Sequence, residues 1–286
     1  MPSQVIQWFP GHMAKTERLI SENIKNVDFI IEILDARVPI SSRNPDIVRL
    51  TSQKPRIILL NKSDLADDNK TSLFCKKYSV DGSICIPCNC INGKGFNQIK
   101  SAYTQLCAEK LQRFEEKGMS GRKLKAMVVG VPNVGKSSFI NKISGEKRAK
   151  VEDRPGVTLN KQWFSTTIGI DLMDMPGVLW PKFENQSLGE NLALTGAVKD
   201  DILDIESLAC TLLSRLRSLY PEMLNERYKL IEDYSELNDY ELLELVCKKR
   251  GFLLRGGIYD TEKGSKILLD EFRGGKIGKI TLDLFE

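Results

Sequence analysis

Short apolar runs alternate with amphipathic stretches over roughly the first 180 residues, and then the pattern changes. Residues 28–34 are mostly apolar and β-branched, which predicts a buried strand ending at Asp35. Arg56 to Leu60 predicts a second strand, ending at Asn61, and Ser83 to Ile86 a short third. Between Ile99 and Lys117, apolar residues at Ala102, Tyr103, Leu106, Leu111 and Phe114 fall at helical spacing. Residues 119–125 read as a basic, glycine-containing linker. Ala126 to Val129 predicts a strand running straight into Gly130, and a helix begins by Ser138. Gln162 to Thr167 and Ile170 to Asp174 predict a hairpin pair. Strands alternating with helices indicate an α/β sheet, whose ligands bind outside the carboxyl ends of the strands. After Trp180 helical periodicity takes over, clearest from Leu203 to Tyr220 and from Tyr240 to Lys249. Two domains are expected, 1–183 and 184–286, the second mainly α-helical.

Composition narrows the class. Of 286 residues, 41% are apolar and 28% charged, which excludes a disordered chain. No stretch supplies the roughly 18 apolar residues needed to cross a bilayer. Met1-Pro2-Ser3-Gln4 begins no basic-then-apolar segment, so no secretory signal is expected. Seven scattered cysteines suit reduced thiols and a cytoplasmic location. Cys85, Cys88 and Cys90 lie close together but lack a fourth ligand, which argues against a metal site. The net charge of +4 hides a split. Residues 1–183 carry 28 Lys/Arg against 18 Asp/Glu, and residues 184–286 carry 14 against 20. Long-range attraction for nucleic acid is therefore expected from the first part.

The chemistry begins at Gly130-Val131-Pro132-Asn133-Val134-Gly135-Lys136-Ser137. This segment fits the phosphate-loop pattern G-x-x-x-x-G-K-[ST] at every fixed position and sits between a predicted strand and helix. The glycines allow a tight turn whose backbone N–H groups can face phosphates. Val134, Gly135, Lys136, Ser137 and Ser138 open a helix whose positive end favours an anion. Lys136 is the candidate for the β- and γ-phosphates, and Ser137 for Mg²⁺. The loop does not by itself separate ATP from GTP.

Asn61-Lys62-Ser63-Asp64 resembles the guanine-recognition motif of Ras-like GTPases. The resemblance implies that Asp64 accepts hydrogen bonds from guanine while Asn61 and Lys62 shape the base pocket. Asp174-Met175-Pro176-Gly177 resembles D-x-x-G, which implies that Asp174 reaches Mg²⁺ through water and Gly177 senses the γ-phosphate. Pro155-Gly156-Val157-Thr158 resembles a switch I segment, with Thr158 closing over Mg²⁺. Cys88 and Asn89 occupy the place of the loop that backs the base. The guanine motif here precedes the phosphate loop, so the expected fold is a circularly permuted Ras-like P-loop GTPase domain.

Trp8-Phe9-Pro10-Gly11-His12-Met13, Asp35-Ala36-Arg37-Val38-Pro39 and the tail Asp270 to Gly278 carry a narrower match. With the permuted order, they closely resemble the YlqF/RbgA family of ribosome-biogenesis GTPases. The resemblance implies late maturation of the large ribosomal subunit, with rRNA, ribosomal proteins and the subunit precursor as partners. It also implies GTP as substrate, Mg²⁺ as cofactor, K⁺ held at Asn133, and help in catalysis from His12, because Val178 stands where Ras-like enzymes carry Gln. A competing reading is a nucleotide-gated adaptor for a protein or signalling partner.

Overall fold

The computed structural model describes residues 10–80, 82–119, 121–145, 162–179 and 185–285, with side chains from residue 14 on. Thr158 and the side chain of His12 lie outside the described residues.

Six strands form one sheet in the order β3-β2-β1-β4-β6-β5. They are β1 Phe29–Asp35, β2 Arg56–Asn61, β3 Ser83–Pro87, β4 Leu124–Val129, β5 Gln162–Ser165 and β6 Ile170–Asp174. All neighbours run parallel except β5, which pairs antiparallel with β6 as the hairpin pattern predicts. β1 and β2 are buried along their whole length, which is why they read as mostly apolar runs, and the acid inside β1, Glu32, is paired with Arg56 at 2.6 Å. Counting from β4 instead of β1 turns the strand order into 2-3-1-4-5-6, with the phosphate-loop strand first. The permutation has moved three strands to the front of the chain without changing the sheet.

Around the sheet lie α1 Pro10–Asn23, α2 Pro45–Leu50, α3 Asp68–Tyr78, α4 Asn97–Leu106, α5 Ala108–Glu116 and α6 Lys136–Ser144. The single helix expected from Ile99 to Lys117 is two helices. Cys107 leaves helical geometry at φ −111° and ψ 20°, and the redirected α5 keeps Leu111 and Phe114 against the core. The expected linker 119–125 is also shorter, because Leu124 and Lys125 already belong to β4. Leu124 is buried and Lys125 exposed, so the charged residue sits on the solvent side of a real strand.

The rest of the chain supplies α7 Gln186–Leu194, α8 Ile205–Leu219, α9 Pro221–Tyr228, α10 Asp239–Arg250 and α11 Thr261–Arg273. Asn185, Asp204, Asn238 and Asp260 cap four of these helices through side-chain oxygens. Leu208, Leu212, Leu216, Leu242, Val246, Leu268 and Phe272 fill the space between α8, α10 and α11. Beyond α11 the tail returns to the sheet's loops. The Ile280 N–H donates to the Leu65 carbonyl, and the Leu282 N–H donates to the Arg37 carbonyl. Asp283 accepts from the backbone of Ile40 and Ser41 and from the Ser41 hydroxyl.

Candidate functional site

Because five of the strands are parallel, the loops after β1, β2, β3, β4 and β6 emerge at one edge. Asp35 lies level with Asn61, Leu60 with Pro87, and Val128 with Asp174. Segments far apart in sequence are thereby brought into contact.

β4 delivers the chain to Gly130, and α6 starts at Lys136. Asn133 and Gly135 both take left-handed backbone angles, φ 58° and 106°. Gly135 has no room for a side chain, since an added Cβ would overlap Asn61 Nδ2. Asn61 explains that close approach. Its Nδ2 donates to the Val134 carbonyl at 2.6 Å, and its Oδ1 accepts the Cys90 N–H at 2.8 Å. One amide therefore joins the guanine motif, the phosphate loop and the loop after β3, engaging protein backbone at both ends.

Lys62, also left-handed at φ 58°, donates to the Asn133 carbonyl at 2.9 Å and pairs with Asp35 at 2.9 Å. Asp35 is buried and accepts two bonds from the Arg37 guanidinium, at 2.9 and 2.7 Å. Burial works to raise its pKa, but the charges of Arg37 and Lys62 outweigh this and hold the carboxyl well below the usual range. Ser63 donates both its N–H and its hydroxyl to the Cys88 carbonyl, at 3.1 and 3.0 Å. Asp64 follows directly and is exposed. A carboxylate on a stiff turn, open to solvent, suits a group that reads a base.

Cys88 is buried, and its Sγ lies 4.0 Å from that of Cys90. Cys85 Sγ instead faces Cys75 at 3.7 Å. Asn89 uses its Oδ1 on the N–H groups of Ile91 and Asn92, closing its own turn. Its side chain thus shapes the loop that backs Asn61.

Lys136 is buried, and its Nζ donates to the carbonyls of Gly130 and Val131, each at 2.9 Å. Burial pulls its pKa down to about 8, opposed by the nearby Asp174 carboxylate. Asp174 ends β6 and is buried. Three residues on, a Cβ added to Gly177 would overlap Lys136 Nζ and lie 3.1 Å from the Pro132 nitrogen. The loop after β6 therefore lies directly on the phosphate loop. Ser137 and Ser138 are half-buried in the first turn of α6. The Ser137 hydroxyl and Asp174 carboxylate are hard oxygen donors, which fits Mg²⁺. Val178 is buried and apolar.

Sequence reasoning missed how this edge is tied to the C-terminal helices. Asn133 Nδ2 donates to the Gly196 carbonyl, just beyond α7, at 2.7 Å. Arg273, the last residue of α11, donates to the α7 carbonyls of Ala193 and Leu194 at 3.1 Å. It also pairs with Asp200 through two bonds of 2.6 and 2.7 Å. The Arg273 carbonyl accepts from Arg37 at 3.2 Å. Asn133, Gly196 with the adjoining end of α7, Arg273, Arg37, Asp35 and Lys62 close a circuit that begins and ends at the phosphate loop. The sequence singles out the Asp35-Ala36-Arg37 segment and the tail, but nothing in it pairs residues 236 positions apart.

A family model described as a 50S ribosome-binding GTPase matches residues 125–248, from β4 through most of α10. The guanine motif falls upstream of that match, as the permuted order requires. Ribosome biogenesis GTPase A of Bacillus cereus is 45% identical over 98% of this chain and 94% of its own length. The protein of that name in Priestia megaterium is 44% identical over 97% and 96%. Mitochondrial ribosome-associated GTPase 1 of Mus musculus is 32% identical over 98% and 90%. The GNP-bound structure of YlqF from Thermotoga maritima shares the fold, with a TM-score of 0.61 at 24% identity over 94% and 97% of the two chains. A GDP-bound YlqF structure matches with a TM-score of 0.63 at 24% identity, over 93% and 98%. Similarity of this depth across nearly the whole of both chains, on a permuted GTPase sheet, shows that the protein belongs to the ribosome biogenesis GTPase A family.

Proposed function

We propose that this GTPase hydrolyses GTP at the carboxyl edge of its sheet to time a late step in assembling the large ribosomal subunit. The observation that carries the reading is the meeting of the Asn61–Asp64, Gly130–Ser138 and Asp174–Gly177 segments at that edge, tied through Asn133 to the C-terminal helices. The names of the relatives, in bacteria and in mitochondria, supply the ribosomal context.

In this reading Asp64 selects guanine, while Asn61 and Lys62 hold the pocket in shape. The backbone from Asn133 to Ser138 and the Lys136 ammonium cradle the phosphates. Cys88 and Asn89 form the loop behind the base. Ser137, Asp174 and Thr158 hold Mg²⁺, which supplies charge neutralisation at the phosphates when bound. Residues 1–183 form the GTPase domain and residues 184–286 the domain that meets rRNA and ribosomal proteins. Among the described residues no helix is long and apolar enough to cross a membrane. The ribosomal context of the bacterial relatives supports a cytoplasmic location.

Asn133 is the proposed K⁺ ligand. Its amide nitrogen is used on Gly196, and a cation would take the oxygen at the other end. Turnover is expected to be on the order of tenfold faster in KCl than in NaCl at equal ionic strength. Equal rates would reject the assignment.

His12 lies in the first turn of α1, and we propose that it positions the attacking water, a task that the apolar Val178 cannot perform. Purified large-subunit precursor should stimulate GTP turnover of the wild-type protein. His12→Ala should bind GTP normally and lose about a hundredfold or more of the stimulated rate. Full stimulation of His12→Ala would remove the histidine from the mechanism. No stimulation of the wild type would favour the adaptor reading.

A further inference from the structure

The opposite edge of the sheet carries a second candidate site. The amino-terminal ends of β1 and β4 open onto a groove of about 460 Å³. Its walls include Lys25, Lys110, Arg122, Lys123, Lys125 and Trp163. Asp28 is the one carboxylate among its lining residues, so five cationic side chains face a single acid. Asp28 is already engaged, pairing with Lys110 and accepting the Lys125 N–H at 2.7 Å. Lys123 approaches Asp171 at 3.9 Å. Among the described residues, no carboxylate forms an ion pair with Lys25, Arg122 or Lys125. Self-repulsion at such a place is a cost that a bound polyanion would remove.

Trp163 narrows the kind of polyanion. It lies on the edge strand β5, opposite Met173, and is 44% exposed. One face of its ring has Lys125 Nζ 5.2 Å from the centroid. A large, half-exposed indole beside cations is the combination that takes a stacked base together with its phosphates. An acidic protein surface would use the cations but gain little from a flat aromatic face. The charge split along the chain agrees, since residues 1–183 hold the basic excess.

We infer that this groove binds an unpaired segment of RNA, its phosphates on Lys25, Arg122 and Lys125 and one base on Trp163. The groove sits at the start of β4 and the phosphate loop at its end, so both sites can be filled at once. The inference rests on the reading of the protein as an RNA-contacting assembly factor. Its test uses no ribosomal particle, so it fails separately from that reading.

The probe is a fluorescein-labelled single-stranded oligoadenylate, followed by anisotropy across a salt series. The triple variant K25A/R122A/K125A should bind at least about tenfold more weakly, and its log K against log salt slope should fall by about 2, near 0.7 per lost phosphate contact. Trp163→Ala should lose at least about fivefold more at fixed salt. Trp163→Phe should keep affinity within a few-fold while abolishing the RNA-induced quench of tryptophan fluorescence. GTP affinity should stay unchanged in all three, which also shows that they fold. Wild-type RNA affinity and salt slope in the triple variant would overturn the inference. So would binding of polyglutamate that matches the oligonucleotide and ignores the loss of Trp163, because the groove would then serve an acidic protein.

Discussion

Asp64→Asn should weaken GTP binding about a hundredfold and raise affinity for xanthosine triphosphate. The carboxylate accepts two hydrogen bonds in the proposed complex, and each lost buried partner costs about 1–3 kcal/mol. An Asn side chain presents a donor where guanine also has donors, and xanthine offers a carbonyl there instead. The fold should not suffer, because Asp64 is exposed. The turn before it is held by Ser63 on Cys88 and by Lys62 on Asp35 and Asn133. Binding of GTP, ATP and the xanthine nucleotide to both forms, with thermal unfolding as a control, gives the answer. Unchanged GTP affinity in the variant would remove Asp64 from base recognition.

Asp35→Asn should cost about 3–5 kcal/mol of stability at neutral pH, because it strands a buried guanidinium. Both side chains of the Asp35–Arg37 pair are only 2% exposed. The sign with pH follows from the depressed carboxyl pKa. Asp35 stabilises the fold fully above its ordinary value of 3.8, and that contribution is lost progressively as pH falls below it toward the folded-state value. The urea midpoints of wild type and variant should therefore lie far apart at pH 7 and approach each other in strong acid. The same substitution releases Lys62 and Arg37, opening the circuit through Asn133 and Arg273. GTP affinity should fall as well, although Asp35 has no proposed contact with the nucleotide. A loss below about 1 kcal/mol at pH 7 would mean that the circuit carries little energy.

These two residues also mark how far the sequence reaches. Strand runs ending at Asp35, Asn61 and Asp174 were legible because buried parallel strands are built mostly from apolar side chains, and each run ends on a polar residue at the start of a loop. The phosphate loop was legible because its glycines, lysine and serine are local requirements at fixed spacing. The permuted order followed from motif order alone. Helix ends were less legible. The break at Cys107 and the start of β4 at Leu124 depend on what each segment packs against.

The partners of Asp35, Arg37, Asn133 and Arg273 were decided only in three dimensions. A buried charge must find an opposite charge or a carbonyl, but chain composition does not say which one. Packing α7 and α11 against the sheet's loops sets that choice. It turns Asn133 toward Gly196 and brings the tail to Arg37. The basic groove has the same origin. Lys25, Lys110, Arg122, Lys123, Lys125 and Trp163 come from four separate segments, unremarkable one by one, and the folded sheet gathers them beside the start of β4, with Trp163 contributed by the antiparallel β5. Spacing along the chain determined which residues could do chemistry, while the close approach of distant backbones determined which of them meet.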